Sequence, residues 1–356
     1  MHMADALLSP AVGAACWVAS GAALAWCASR VKRNPREDLV PLMGVLGAFV
    51  FAAQMINFSI PGTGSSGHMV GGLLLSVLLG APAALIVIAS VLTVQALFFA
   101  DGGLLALGAN LFNMGVMSCL VAYPLIYRTL MPRSGRLPSA KRLGWVAVLT
   151  SVVGLQLGAF GVVLQTQMSG ISSLPLGAFL LLMQPIHLAI GLGEGLATAA
   201  LLVFIRQARP DLLSATATFG TTPSSRRLWA GFAGAALVVA GALSWFASSH
   251  PDGLEWSIAR ATGHTELAAP ASEPHAKLLA WQNATALFKD YTWDLQEKPA
   301  SSPLKMAADD SKAIAEPAWP AIDAGTSLAG IVGGVLTLVL VLGVGYLLRR
   351  RTTRTS

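Results

Sequence analysis

Apolar runs near 8–28, 39–58, 108–127, 143–165, 180–205, 228–247 and 325–348 are each long enough to cross about 30 Å of hydrocarbon. Backbone polar groups in such runs must be satisfied internally, so the sequence predicts an all-α polytopic membrane protein. The stretch 69–100 is also apolar, and as one helix it would reach about 48 Å at 1.5 Å per residue. Gly80-Ala81-Pro82 interrupts it, and proline suits the first turn of a new helix. Splitting it there predicts about nine transmembrane helices. Composition agrees, because 11% of residues are charged against roughly 25% in soluble domains.

The charges give an orientation. Of 23 Lys and Arg, 17 lie in four clusters at 30–36, 128–142, 206–227 and 349–354. Nine spans put all four on one side, as in cytoplasmic loops, whereas eight would divide them. The N-terminus is therefore expected outside the cell membrane and the C-terminus inside. No Lys or Arg precedes the first apolar run, and Asp5 stands where a signal peptide carries positive charge, so residues 1–28 read as a retained helix. Removal of Met1 is not expected, because His2 is too large a second residue. The +6 net charge resides in the loop clusters, with no stripe of alternating basic and aromatic residues, which argues against a nucleic-acid partner. Cys16, Cys27 and Cys119 lack metal-ligand spacing and read as small core hydrophobes.

Three units follow: a membrane domain at 1–210, a cytoplasmic linker at 211–227, and a module at 228–356. The module has a helix at 228–247, an extracytoplasmic segment at 248–324, a helix at 325–348 and a basic tail. Its middle segment holds eleven of the 17 acidic residues and much Pro, Ser and Ala, and reads as part ordered and part linker. Trp281 and Ala284 to Asp290 suggest one short amphipathic helix there. His250, His264 and His275 fit either weak metal contacts or, the reading preferred, surface histidines.

His2 can offer a metal three nitrogens: the Met1 amine, its own backbone N and its imidazole Nδ1. The two chelate rings are coplanar, which suits Ni²⁺, Cu²⁺ or Co²⁺. A fourth nitrogen would close the square, and His68 is the leading candidate, following the loop Pro61-Gly62-Thr63-Gly64-Ser65-Ser66-Gly67 at the same expected face. The loop also fits a plain tight turn. His187 and Glu194, seven residues apart in an apolar run, share a helical face, and ionisable groups at membrane depth are costly. They fit either support of a site or cross-linking of helices. Asn110 and Asn113 after the loop Asp101-Gly102-Gly103, and Gln54 and Asn57, have the same two readings. The sequence has no Walker lysine loop and no HExxH motif.

At these residues the chain resembles the CbiM/NikM family, substrate-binding (S) components of energy-coupling-factor (ECF) importers for cobalt and nickel. The matches are Met1-His2 with Asp5 and Leu8-Ser9-Pro10, Ala53-Gln54-Met55-Ile56-Asn57-Phe58 leading to Gly67-His68, Gly108-Ala109-Asn110-Leu111-Phe112-Asn113-Met114, and His187 with Gly191-Leu192-Gly193-Glu194-Gly195. The module is similar to the CbiN/NikN-type or PDGLE partner, marked by Pro251-Asp252-Gly253-Leu254-Glu255-Trp256. Ala6 stands where the family commonly has glycine. Ser59 takes a frequent proline position, and the loop before His68 is one residue longer than usual.

The resemblance implies a seven-helix S component whose metal is held by the Met1 amine, the His2 backbone N and imidazole, and His68. Asp5, Asn57, Asn110, Asn113, His187 and Glu194 are expected to support that site. It further implies a transmembrane coupling (T) subunit and a cytoplasmic ATPase pair as partners. The chain itself is expected to be a transporter subunit rather than an enzyme, with Ni²⁺ or Co²⁺ as its transported substrate and no organic cofactor. Two other classes fit parts of the sequence. An intramembrane metalloenzyme would use His68, His187 and Glu194, and a non-transporting metal-sensing or assembly scaffold would use segment 248–324.

Overall fold

The computed structural model describes residues 1–34, 39–132, 137–213, 223–265, 267–270, 272–293 and 319–350. Much of the expected linker at 211–227, the later part of segment 248–324 and the basic tail lie outside the described residues. The membrane domain contains α1 (Pro10–Arg33), α2 (Leu39–Gln54), α3 (Gly72–Leu79), α4 (Ala81–Phe99), α5 (Leu107–Leu130), α6 (Ala140–Ser169) and α7 (Leu176–Ala208). A hairpin of β1 (Phe58–Ile60) and β2 (Ser65–Gly67) separates α2 from α3, with Phe58 opposite Gly67. The module contributes α8 (Pro223–Gly241), α9 (Gly253–Thr262), α10 (Glu273–Thr285) and α11 (Ala324–Arg350).

Nine of these helices are apolar and stand where the runs predict them. Six are long and apolar enough to cross a membrane, and α2 and the Trp229–Gly241 part of α8 are shorter apolar helices. The break in the long run falls at Gly80, whose φ of +87° is a left-sided conformation that glycine tolerates. With eight residues, α3 extends only about 12 Å and is much the shortest of the nine. Side chains such as Val18, Trp145, Leu181 and Phe204 point outward, as lipid-facing residues do.

Helix α1 shows how the sequence sets the packing. Its fully buried residues are Gly13, Ser20 and Cys27, spaced by seven and therefore on one face. All are small, so α5 can approach closely. The Ser20 hydroxyl donates to the Gly108 carbonyl at 2.6 Å, and a Cβ on Gly108 would lie 2.6 Å from the Trp17 nitrogen. Small residues of this kind govern contacts between membrane helices. From Leu111 to Tyr127, α5 is wound wider than an α-helix, with Arg128 N donating to Tyr123 O five residues back.

The module is docked on the membrane domain. Helices α8 and α11 pack on each other and on α2. Between them, α9 buries Leu254 and Ile258 against α7 and β2. The Gln282 side chain in α10 donates to Ala96 O and Gly102 O, and Phe288 and Tyr291 stack on Phe99. The amphipathic helix expected over Ala284 to Asp290 is displaced: α10 ends at Thr285, and Lys289–Tyr291 forms a single 3₁₀ turn. The reason is that segment 284–291 docks through Phe288 and the backbone of Leu287, whose N–H donates to Phe98 O.

The α1–α5 contact gives a test. Gly108→Val places methyl groups against backbone, which cannot rotate away, so destabilisation of about 1–3 kcal/mol is expected. It is read as a lower midpoint of thermal unfolding in detergent, and an unchanged midpoint would refute the close contact.

Candidate metal centre

The first three residues are drawn into the protein. Met1 is 5% exposed and Met3 fully buried. The Asn110 side chain accepts from Met3 N at 2.7 Å and donates to Met3 O at 3.2 Å, replacing the partners a neighbouring strand would supply. Gly103 N also donates to Met3 O, and Asp5 Oδ1 accepts from Ala106 N at 2.9 Å. A Cβ on Gly103 would lie 2.5 Å from Asp5 N, so the loop can come this close only as glycine. Asn113 is bonded in both directions to Gln165, at 2.7 and 3.0 Å, and its amide nitrogen lies 3.7 Å from Met3 Sδ.

This clamp sets His2 against His68, with ring centroids 5.2 Å apart and planes at 18°. The Met1 amine lies 3.5 Å from His68 Nε2. The hydrogen-bond network then fixes the ring protons. Gln54 Nε2 donates to Val70 O at 2.8 Å, and Gln95 Nε2 donates to Gln54 Oε1 at 2.7 Å. Gln95 Oε1 must therefore accept, so the His2 proton is on Nε2, 3.2 Å away, and His2 Nδ1 keeps a lone pair. His68 Nδ1 donates to Met69 O, which leaves the lone pair on Nε2, the nitrogen facing the amine. His187 Nδ1 donates to Met183 O, and its Nε2 is buried with no hydrogen-bond partner.

Burial favours the neutral form of both site histidines. It lowers the pKa of His2, and it lowers that of His68 to about 3, with the Met1 ammonium acting in the same direction. Neutral imidazoles are the form a metal requires. His2 Nδ1 is 3.2 Å from Asp101 Oδ1, so a lone pair and a carboxylate oxygen face each other, an arrangement that a cation satisfies. Tyr291 donates to the other Asp101 oxygen at 2.5 Å. Burial and that carboxylate raise the Tyr291 pKa well above its usual value, so the hydroxyl remains a donor.

The expected supporting residues divide into four groups. Asp5, Asn110 and Asn113 hold the N-terminal segment. Glu194 accepts from Val70 N at 3.2 Å and Gly71 N at 3.1 Å, pinning the backbone that follows His68. His187 lines a cavity of about 10 Å³ together with Met1, His68, Asp252 and Gly253. Asn57 lines the wall of a larger cavity of about 570 Å³ shared by the two domains, and its carbonyl accepts from Ser248 N.

Sequence reasoning missed Asp252. Its carboxylate forms an ion pair with the Met1 ammonium, and Oδ1 caps α9 by accepting from Leu254 N at 2.8 Å and Glu255 N at 2.9 Å. Burial pushes the Asp252 pKa up, but the adjacent ammonium holds its carboxyl well below the usual range. The Asp-x-x-Glu spacing of 252 and 255 is a capping-box signal that could have located α9. Nothing local connects residue 252 to residue 1. His275 also differs from its surface reading: it is 2% exposed, and its Nε2 lies 2.9 Å from Leu8 O. Docking of α10 over the start of α1 buries it.

The chain is 31% identical over 283 residues to the fused nickel transport protein NikMN of Rhodobacter capsulatus, covering 76% of this chain and 80% of that one. It is 31% identical to the cobalt transport protein CbiM of Sorangium cellulosum over 222 residues, 60% of this chain and 94% of the relative. A crystal structure described as a truncated transition metal transporter matches with a TM-score of 0.51 and 29% identity, covering 58% of this chain and 99% of that chain. Residues 226–350 match the PDGLE domain. Residues 2–212 match the cobalt uptake substrate-specific transmembrane region, and the chain belongs to this CbiM family of multi-pass membrane proteins.

Proposed function

We propose that this chain is the substrate-binding component of an ATP-driven ECF importer, capturing Ni²⁺ or Co²⁺ at the outer face of the cell membrane. Residues 1–210 form the capturing domain, and the module at 228–356 assists loading. The observation that carries this reading is the convergence of the Met1 amine, the His2 ring and His68 Nε2 in one buried place, 3.5 Å and one ring stack apart. Met1, His2 and His68 supply the amine, the His2 backbone N, its Nδ1 and the His68 imidazole as a planar set of four nitrogens. Such a field suits Ni²⁺ and Co²⁺ and disfavours Zn²⁺, which prefers a tetrahedron. A transmembrane coupling subunit and a cytoplasmic ATPase pair supply the energy, and no organic cofactor takes part.

Three of the four donors come from two residues, so a tag before Met1 removes the amine without touching a side chain. An N-terminal extension of a few residues should reduce Ni²⁺ and Co²⁺ affinity at least about 100-fold in metal-competition titrations. Unchanged affinity in the extended protein would overturn the ligand set.

Acid acts in two ways. Metal binding must displace protons from the Met1 ammonium and the His2 amide, so roughly two protons per metal should appear in calorimetry across buffers of different ionisation enthalpy. Affinity should fall as pH falls. In the metal-free protein, His68 titrates near 3 when folded and near its usual 6.5 when unfolded. The unfolded state then binds more protons, so thermal stability should be full above about pH 6.5 and decline towards pH 3. Stability that rises on acidification through this window would contradict a neutral buried His68.

A further inference from the structure

Asp252 belongs to the PDGLE module, yet its carboxylate is bonded to the nitrogen that opens the chain. Its two oxygens have different tasks. Oδ1 is occupied by the N-cap of α9, accepting from Leu254 N and Glu255 N, while Oδ2 is directed at the Met1 amine. The surroundings hold it there from both sides. Ser66 N donates to Pro251 O at 2.8 Å, the Ser66 hydroxyl donates to His250 O at 2.7 Å, and Trp256 Nε1 donates to Thr63 O at 2.9 Å. A Cβ on Gly253 would lie 3.0 Å from His187 Cε1 and 2.7 Å from Ile190 Cδ1, so glycine lets the capping turn settle against α7.

We infer that Asp252 completes the metal site from the module, its Oδ2 supplying a fifth donor, an oxygen, beside the four nitrogens. This rests on the reading of Met1, His2 and His68 as the nitrogen donors. Three observations support it. First, donors at right angles about one ion, with bonds near 2.0–2.1 Å, stand about 2.9 Å apart. Oδ2 stands beside the Met1 nitrogen as its ion-pair partner, where a neighbouring donor belongs. Second, the charge balances. The divalent ion less the His2 amide proton leaves one positive charge, as the ammonium does in the metal-free protein, and a buried charge needs a partner in either state. Asp252 neutralises both, and the ammonium proton leaves to solvent when the metal takes the amine lone pair.

Third, the small cavity lined by Asp252, Met1 and His68 also receives His187, which is 1% exposed and whose Nε2 has no partner. A buried unpaired acceptor on that wall marks the cavity as one built for a ligand. Asp101 is the competing carboxylate. Its Oδ1 lies 3.2 Å from His2 Nδ1 and its other oxygen is held by Tyr291, whereas Asp252 is the carboxylate bonded to the amine itself.

The test uses the full-length protein with its native N-terminus. Asp252→Asn and Asp252→Ser both remove the charge while keeping a residue that caps helices well, so α9 retains its start. Ni²⁺ and Co²⁺ affinities are measured by chelator competition, the visible spectrum of the Co²⁺-loaded protein is recorded, and thermal midpoints check folding. Both variants should lose at least about tenfold in affinity and show altered Co²⁺ ligand-field bands. Wild-type affinity and spectrum would overturn the inference. So would tighter binding, which would make Asp252 a competitor for the amine. Altered bands in Asp101→Asn, with unaltered bands in Asp252→Asn, would move the oxygen to Asp101 and likewise overturn it. His2→Ala is run in parallel. Lost binding there with unchanged Asp252 variants refutes only the role of Asp252, whereas retained binding in His2→Ala removes the nitrogen set beneath it.

Discussion

A positively charged amine held at 5% exposure is the constraint around which this end of the protein is arranged. Burying a charge is costly unless it is paired, and the pairing comes from Asp252. Burying the backbone behind it has its own requirement, because Met3 has lost water as a hydrogen-bond partner. Asn110 meets that requirement by serving both its donor and its acceptor, and Gly103 adds a second donor to the carbonyl. The glycines at 102 and 103 follow from this, since the loop must touch the segment it clamps. Gly102 has φ of +81°, and its Cβ would meet Asn110 Nδ2 at 2.8 Å.

The histidines are prepared by partners that do not touch the amine. Gln54, Gln95 and the Val70 carbonyl form a chain whose direction is determined at its far end, where a carbonyl can only accept. That direction propagates to His2 and leaves Nδ1 unprotonated. Met69 O and Met183 O play the same part for His68 and His187. The three rings therefore present lone pairs, and for His2 and His68 burial makes protonation unfavourable. Glu194 acts one step further out, and its two backbone hydrogen bonds determine where the chain leaves His68.

Helix number and position were legible because hydropathy is a local signal. The break at Gly80 was legible for the same reason, since glycine and proline act on their own backbone. The pair of His2 and His68 could be read because only a few polar residues at one expected face can offer nitrogen. The module was less legible. Helix α10 hides only His275 and Gln282, so no apolar stripe advertises it. The start of α9 could have been read from Asp252 and Glu255, but capping signals say where a helix begins and nothing about what lies against it. Gln95 and Tyr291 were invisible for a related reason: each acquires its role from residues far away in the chain.

Carrying the module on the same chain has a physical consequence for the site. Helices α8 and α11 pack on α2, so the segment between them is anchored on both sides and its effective concentration at the membrane domain is high. The loop at Thr63 and strand β2 take up that segment through Ser66 and Trp256, two of the residues by which it is grasped. Ser66 is two residues from His68. A displacement of α9 must therefore strain the hairpin that leads to His68, while it withdraws the carboxylate paired with the Met1 amine. The positions of Asp252 and of the hairpin are thus mechanically linked, through these hydrogen bonds and through the burial of Leu254 and Ile258 against α7 and β2.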